Sequence, residues 1–187
     1  MMRRFISICS AAVLRQSKDN LDDAEAWCNE GNELAELGRH EEALQAYDEA
    51  IKISPHDANI WVNKGVTLAE LERHREALQA FEQAINIDLK HAEAWRRKGD
   101  LLYRLRRYEE ALQAYDQAIV ISPDYADAWS AKGTTLSMLG CNEEALQAFE
   151  QAIKIDLKHA EAWRRKGDIL DRLGRYEEAA QAYEQAT

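Results

Sequence analysis

The sequence predicts an all-α solenoid of stacked antiparallel helix pairs over residues 24–187, preceded by a lead-in of residues 1–23. Three observations predict it: a 34-residue period, helical spacing of the apolar positions inside each period, and a chain with only two prolines.

The period is carried first by tryptophan. It recurs at Trp27, Trp61, Trp95, Trp129 and Trp163, each step 34 residues long. Glycine follows four residues later at Gly31, Gly65, Gly99, Gly133 and Gly167. A fixed period of this size marks one supersecondary unit stacked repeatedly. With tryptophan at the fourth position, the units run 24–57, 58–91, 92–125, 126–159 and 160–187, the last six residues short. Segments 77–102 and 145–170 differ only at Asn86/Lys154 and Leu101/Ile169, so a two-unit block is itself repeated.

Within a unit, Trp27, Gly31, Leu34 and Leu37 are spaced by four, three and three, which places them on one helical stripe. Ala43, Tyr47, Ala50 and Ile51 form a second stripe after a break at Gly38-Arg39. Each unit therefore reads as two amphipathic helices joined by a short turn, with tryptophan and Tyr/Phe expected to fill the space beside the small residues as buried rings. A glycine inside a helix costs about 0.5–1 kcal/mol against alanine. Its recurrence predicts a close approach that recovers this cost.

The two prolines, Pro55 and Pro123, fall near unit ends and leave the helices uninterrupted. The chain is 46% hydrophobic and 31% charged, which suits a packed protein rather than a disordered one. Its net charge of −10 argues against nucleic acid as a partner. No stretch reaches the ~18 apolar residues of a membrane-spanning helix. Cys9, Cys28 and Cys141 are odd in number and far apart. They read as free thiols in a reducing, cytoplasmic setting, without a disulfide framework or metal site. Residues 1–14 have a basic start and an apolar run, but Ser7, Cys9 and Ser10 dilute it. They are expected to form a helical or disordered lead-in rather than a signal peptide.

The recurrent tryptophan, glycine, leucine (Leu34, Leu68, Leu102, Leu136, Leu170), alanine (Ala43, Ala77, Ala111, Ala145, Ala179) and aromatic (Tyr47, Phe81, Tyr115, Phe149, Tyr183) resemble the tetratricopeptide repeat. The resemblance covers residues 24–187 and implies a right-handed superhelix. Two departures occur. Glu30, Lys64, Lys98, Lys132 and Lys166 stand where the family often has leucine, and Leu89 and Leu157 replace proline in alternate units.

The resemblance further implies that the first helix of each unit lines a concave groove for a partner protein or peptide. Transferred to this sequence, the groove residues are Asn32, Asn59, Asn63, Val66, Arg96, Arg97, Asp100, Tyr103, Ser130, Thr134, Arg164 and Asp168. Some family members hold a peptide's C-terminal carboxylate with Lys, Asn, Asn, Lys and Arg. The matching residues here are Cys28, Asn32, Asn63, Glu93 and Arg97. Both lysines are lost, one to an acid, which removes most of a carboxylate's charge partners. Within α-helical spacing, Glu93–Arg97, Arg96–Asp100 and Asp100–Arg104 can instead neutralise one another.

No phosphate loop, nucleophile elbow or H-E-x-x-H motif is present, so no enzyme activity, cofactor or metal is expected. His91 and His159 close their units as capping residues, and His40 and His74 lie at turns. The paired glutamates, such as Glu41-Glu42, open second helices, where they complement the helix dipole. The expected function is a protein-interaction scaffold. The alternatives are a self-assembly module or an adaptor domain of a larger complex. A weak homo-dimer through the C-terminal end is also expected, from Ala179, Ala182, Tyr183 and Ala186.

Overall fold

The computed structural model describes residues 23–186, and the expectations for residues 1–22 lie outside them. Ten helices are present among the described residues, in pairs that follow the 34-residue period. They are α1 (23–36), α2 (His40–Ile53), α3 (Ala58–Glu70), α4 (His74–Ile87), α5 (Ala92–Arg104), α6 (Tyr108–Ile121), α7 (Ala126–Met138), α8 (Asn142–Ile155), α9 (Ala160–Arg172) and α10 (Tyr176–Gln185). The chain forms two compact units, divided after Asp88. The first contains α1–α4 and the second α5–α10. The helical hairpins α3–α4, α5–α6, α7–α8 and α9–α10 make the densest contacts.

What recovers the cost of the mid-helix glycine is an aromatic ring. A Cβ placed on Gly99 would lie 2.6 Å from Tyr115 Cε1, and one on Gly65 2.6 Å from Phe81 Cε1. Gly31 under Tyr47, Gly133 under Phe149 and Gly167 under Tyr183 repeat the arrangement. Apart from Tyr183, these rings are among the most buried side chains. The alanines on either side of the ring, such as Ala111 and Ala118, are fully buried and bring the two helices together.

The tryptophans behave differently from large core residues. Trp27 is exposed and the other four are half-buried. The indole N–H of each of these four instead reaches back six residues to the loop between repeats. Trp61 donates to Pro55 O (3.1 Å), Trp95 to Leu89 O (3.3 Å), Trp129 to Pro123 O (3.0 Å) and Trp163 to Leu157 O (3.0 Å). Only the loop carbonyl is used, so proline and leucine interchange there at no cost to this bond. Leu89 and Leu157 accordingly point their side chains to solvent, 69% and 74% exposed.

Lysine before the glycine lies over the same indole, with Lys132 Nζ 5.4 Å from the Trp129 ring centroid. Its ammonium also pairs with the preceding second helix, as in Lys64–Asp48 (2.5 Å), Lys132–Asp116 (2.6 Å) and Lys166–Glu150 (2.9 Å). The stem covers apolar surface while the charge stays wet, and the indole face adds a cation–π attraction.

Each first helix ends in the same way. The N–H of the residue two beyond the last leucine bonds five residues back, as in Arg107 to Leu102 O (2.9 Å) and Cys141 to Leu136 O (3.0 Å). This closure needs a left-handed residue before it. Gly38, Gly140 and Gly174 supply it with φ of 74°, 80° and 73°. Glu72 (φ 58°) and Arg106 (φ 59°) adopt it despite their Cβ atoms. Four second helices then open on an arginine that grips a first-turn glutamate, as in Arg107–Glu110 (2.6 Å) and Arg175–Glu178 (2.5 Å).

Arg106→Gly should raise stability by about 0.5–1 kcal/mol and Gly140→Ala should lower it by about 1 kcal/mol in urea unfolding. Trp95→Phe, which keeps a ring but loses the indole N–H, should cost about 1 kcal/mol. Trp95→Ala should cost about 2–3 kcal/mol, less than a fully buried ring would. Equal losses for the two tryptophan variants would show that the loop bond contributes nothing.

Candidate functional site

In the second unit the first helices of successive repeats touch one another directly, α5 with α7 and α7 with α9. Among the described residues the second helices α6, α8 and α10 make no comparable contacts with each other. The first-helix face is therefore the tighter, inner side of this unit. Its residues are the ones expected to form a groove.

At the start of α5 the inner face is a closed charge network. Arg96 donates to Asp100 Oδ2 (2.8 Å), Glu93 Oε1 (3.1 Å) and Tyr125 Oη (2.5 Å). Arg97 Nε donates to Glu93 Oε1 (2.6 Å), and Tyr125 Oη also donates to Glu93. Asp100 Oδ1 accepts from Tyr115 Oη (3.0 Å). Burial alone would raise the Glu93 carboxyl. The hydrogen bonds from Arg96 and Tyr125, with the charges of Arg96 and Arg97, bring it down to about 2. For Asp100 burial prevails over Arg96, and its carboxyl is raised. Burial and the hydrogen bond to Glu93 push the Tyr125 hydroxyl up to about 12. Two of the anticipated i,i+4 pairs, Glu93–Arg97 and Arg96–Asp100, are thus present. The arginine of the first pair is half-exposed and that of the second is covered.

Beyond this network two cavities adjoin. One, of about 280 Å3, is lined by Asp100, Tyr103, Arg104, Tyr115, Ala131 and Thr134. The other, of about 50 Å3, shares Tyr103 and Thr134 and adds Ser137, Met138, Asp168 and Arg172. Sequence reasoning placed Asp100, Tyr103, Thr134 and Asp168 together, and both cavities draw on them. Ser130 is buried, and its carbonyl accepts from Thr134 Oγ1 (3.0 Å). Arg164 is exposed and pairs with Glu161 (2.8 Å). The contributions of Ala131 and Tyr115 come from packing rather than from the groove positions, and the sequence period gave no signal for them as lining residues.

In the first unit Asn32 and Asn63 meet. Asn63 Nδ2 donates to Asn32 Oδ1 (3.0 Å), which also accepts from Tyr47 Oη (2.8 Å). Asn63 lies 3.7 Å from Cys28 Sγ, and burial raises that thiol's pKa. Val66 is half-buried. Asn59 is exposed, and its backbone N–H caps onto Asp57 (2.9 Å). The Asn32 amide oxygen is already engaged by protein donors.

The outer face carries a different, repeated feature. A trough of about 540 Å3 is lined by Trp129, Lys132, Leu136, Gln147, Ala148 and Gln151. One repeat later, Trp163, Lys166, Leu170, Gln181, Ala182 and Gln185 line another of about 450 Å3. Of the four residues from which a homo-dimer was expected, Ala182 lines the trough on α9 and α10, Ala179 is buried, and Tyr183 and Ala186 are half-buried. His91 and His159 cap as anticipated, each Nδ1 accepting a helix N–H at 3.2 Å. No helix among the described residues is long and apolar enough to cross a membrane. No group of three or more potential metal ligands occurs among them either.

Known structures share this architecture. MamA of Desulfovibrio magneticus RS-1 superposes with a TM-score of 0.75 at 22% identity, over 88% of this chain and 93% of that one. PilF of Pseudomonas aeruginosa gives a TM-score of 0.84 at 20% identity, over 90% and 77%. YrrB, described as a tetratricopeptide protein with an unusual peptide-binding site, gives 0.67 at 24% identity, over 92% and 89%. At such identities the likeness concerns the fold. No curated protein sequence matches the chain. Family profiles of the tetratricopeptide repeat match residues 62–126 and 131–187, with further matches at 24–57 and 114–147. The chain belongs to the tetratricopeptide repeat family.

Proposed function

We propose that the chain is a protein-interaction scaffold that receives a peptide segment or helix of a partner on the inner face of α5, α7 and α9. The observation that carries this reading is the pair of adjoining cavities around Tyr103 and Thr134 on that face. They sit on helices rather than loops, so the surface is preformed and a bound segment would bear most of the ordering cost. Met138 stands beside them 54% exposed, an apolar contact open to a partner. YrrB, of the same fold, is described as having an unusual peptide-binding site, which favours the same class of ligand here. The reading calls on no catalytic residue or cofactor, and it is compatible with a cytoplasmic role.

Self-assembly through α9 and α10 is the second reading. Its trough recurs on α7 and α8, but the Tyr183 ring is half-buried where Tyr47, Phe81, Tyr115 and Phe149 are almost completely buried, which leaves part of it open to a second copy.

Peptides selected from a random display library on the intact protein should separate the two faces. Thr134→Arg, which blocks the inner cavities, should weaken the selected peptides at least tenfold without shifting the unfolding midpoint. Gln147→Arg in the outer trough should leave binding within twofold. If Gln147→Arg abolishes binding and Thr134→Arg does not, the inner-face assignment fails. Concentration-dependent dimers in sedimentation that Gln181→Arg dissolves would favour the second reading.

A further inference from the structure

The polar atoms around the larger inner cavity are largely committed to the protein itself. Asp100 spends one carboxylate oxygen on Arg96 and the other on Tyr115. Thr134 donates its hydroxyl to the Ser130 carbonyl and so has its methyl left for packing. Tyr115 spends its hydroxyl on Asp100. What remains toward the space is the Tyr103 and Tyr115 rings, Ala131 and the Thr134 methyl. At about 280 Å3 the cavity lies just below the roughly 300–1,000 Å3 of small-molecule sites, a size that fits one large side chain rather than a cofactor. Arg104 also lines the space, and a polar group entering it would exchange full hydration for few partners.

The rim has the opposite character. Arg172 lines the adjoining cavity, is exposed, and donates to the neutral Ser137 Oγ at 3.1 Å. The other arginines of α9 contrast with it: Arg164 and Arg165 each pair with Glu161, at 2.8 and 2.6 Å. Arg172 also ends its helix, where its charge complements the helix dipole. A guanidinium held by a neutral hydroxyl can exchange that contact for a carboxylate and gain charge assistance.

Resting on the inner-face reading above, we infer that the site selects a partner segment in which one large apolar side chain lies close in sequence to a carboxylate. The apolar group fills the Tyr103–Ala131–Thr134 cavity and the acid engages Arg172. The first is an anchor of the kind that dominates interface energy. The second adds orientation and specificity more than affinity.

The test uses an array of synthetic twelve-residue peptides with a central leucine, phenylalanine, alanine or serine, flanked on either its N-terminal or its C-terminal side by glutamate, glutamine or lysine. Binding to the full chain is read by fluorescence anisotropy. Leucine or phenylalanine with glutamate should bind best, and serine at the centre should lose about tenfold or more. Glutamine for glutamate should lose about three- to fivefold, the scale of an exposed charge pair. Arg172→Glu should reverse the preference, so that lysine-flanked peptides bind better than glutamate-flanked ones. A purely structural role for Arg172 would not produce that reversal. Ala131→Leu should fill the cavity and abolish the preference for a large centre. Should that variant unfold, Tyr103→Ala serves instead, by weakening leucine- and phenylalanine-centred peptides alike. Binding that Thr134→Arg destroys but that ignores both centre and flank would overturn this inference while leaving the inner-face reading intact. Binding indifferent to Thr134→Arg would overturn both.

Discussion

Everything in a repeat depends on one contact, the aromatic ring of the second helix lying flat on the glycine of the first. Any other residue there would put a Cβ within 3.0 Å of ring atoms. The ring cannot simply step aside in the interior repeats, where Tyr47, Phe81, Tyr115 and Phe149 are almost completely buried. The close approach sets the separation of the paired helices, and the small alanines around it are a consequence. So is the identity of the residue beside the glycine. Where the ring is tyrosine, that residue is Asn32, Asp100 or Asp168, and it accepts the hydroxyl at 2.8, 3.0 or 3.1 Å. Where the ring is phenylalanine, it is Val66 or Thr134, which needs nothing from the ring. A buried hydroxyl without a partner is costly, so the two positions must change together.

This constraint decides what the inner face can offer. In a tyrosine repeat the groove-facing acid or amide is occupied by its own ring, as Asp100 is. In a phenylalanine repeat the position is open, as at Thr134, and the cavities gather there.

The helices, their order and their period were legible in the sequence because tryptophan, glycine and the aromatic sit at fixed intervals that few folds tolerate. The meaning of those residues was less legible. Tryptophan reads as core, yet its nitrogen serves the preceding loop, a role set by a carbonyl that sequence does not display. The Gly38 turn was visible, and the 34-residue period aligns Glu72 and Arg106 with Gly38, Gly140 and Gly174, but neither residue type signals the left-handed conformation that both adopt. The two identical Ala-Glu-Ala-Trp-Arg-Arg segments show the limit most clearly. In α5 the first arginine is covered and bound by Tyr125, whereas in α9 the corresponding Arg164 is exposed and pairs locally. Local sequence is the same, and the neighbouring element decides whether a groove residue is available.

The central claim is that the ring makes the glycine necessary, and a double-mutant cycle on Gly99 and Tyr115 tests it directly by urea unfolding. Gly99→Ala in the native background should cost at least about 2 kcal/mol, the scale of forced overpacking. In a Tyr115→Ala background the same change should cost nothing or stabilise by about 0.5–1 kcal/mol, because alanine is the better helix former once the ring is gone. An equal cost of Gly99→Ala in both backgrounds would contradict the account.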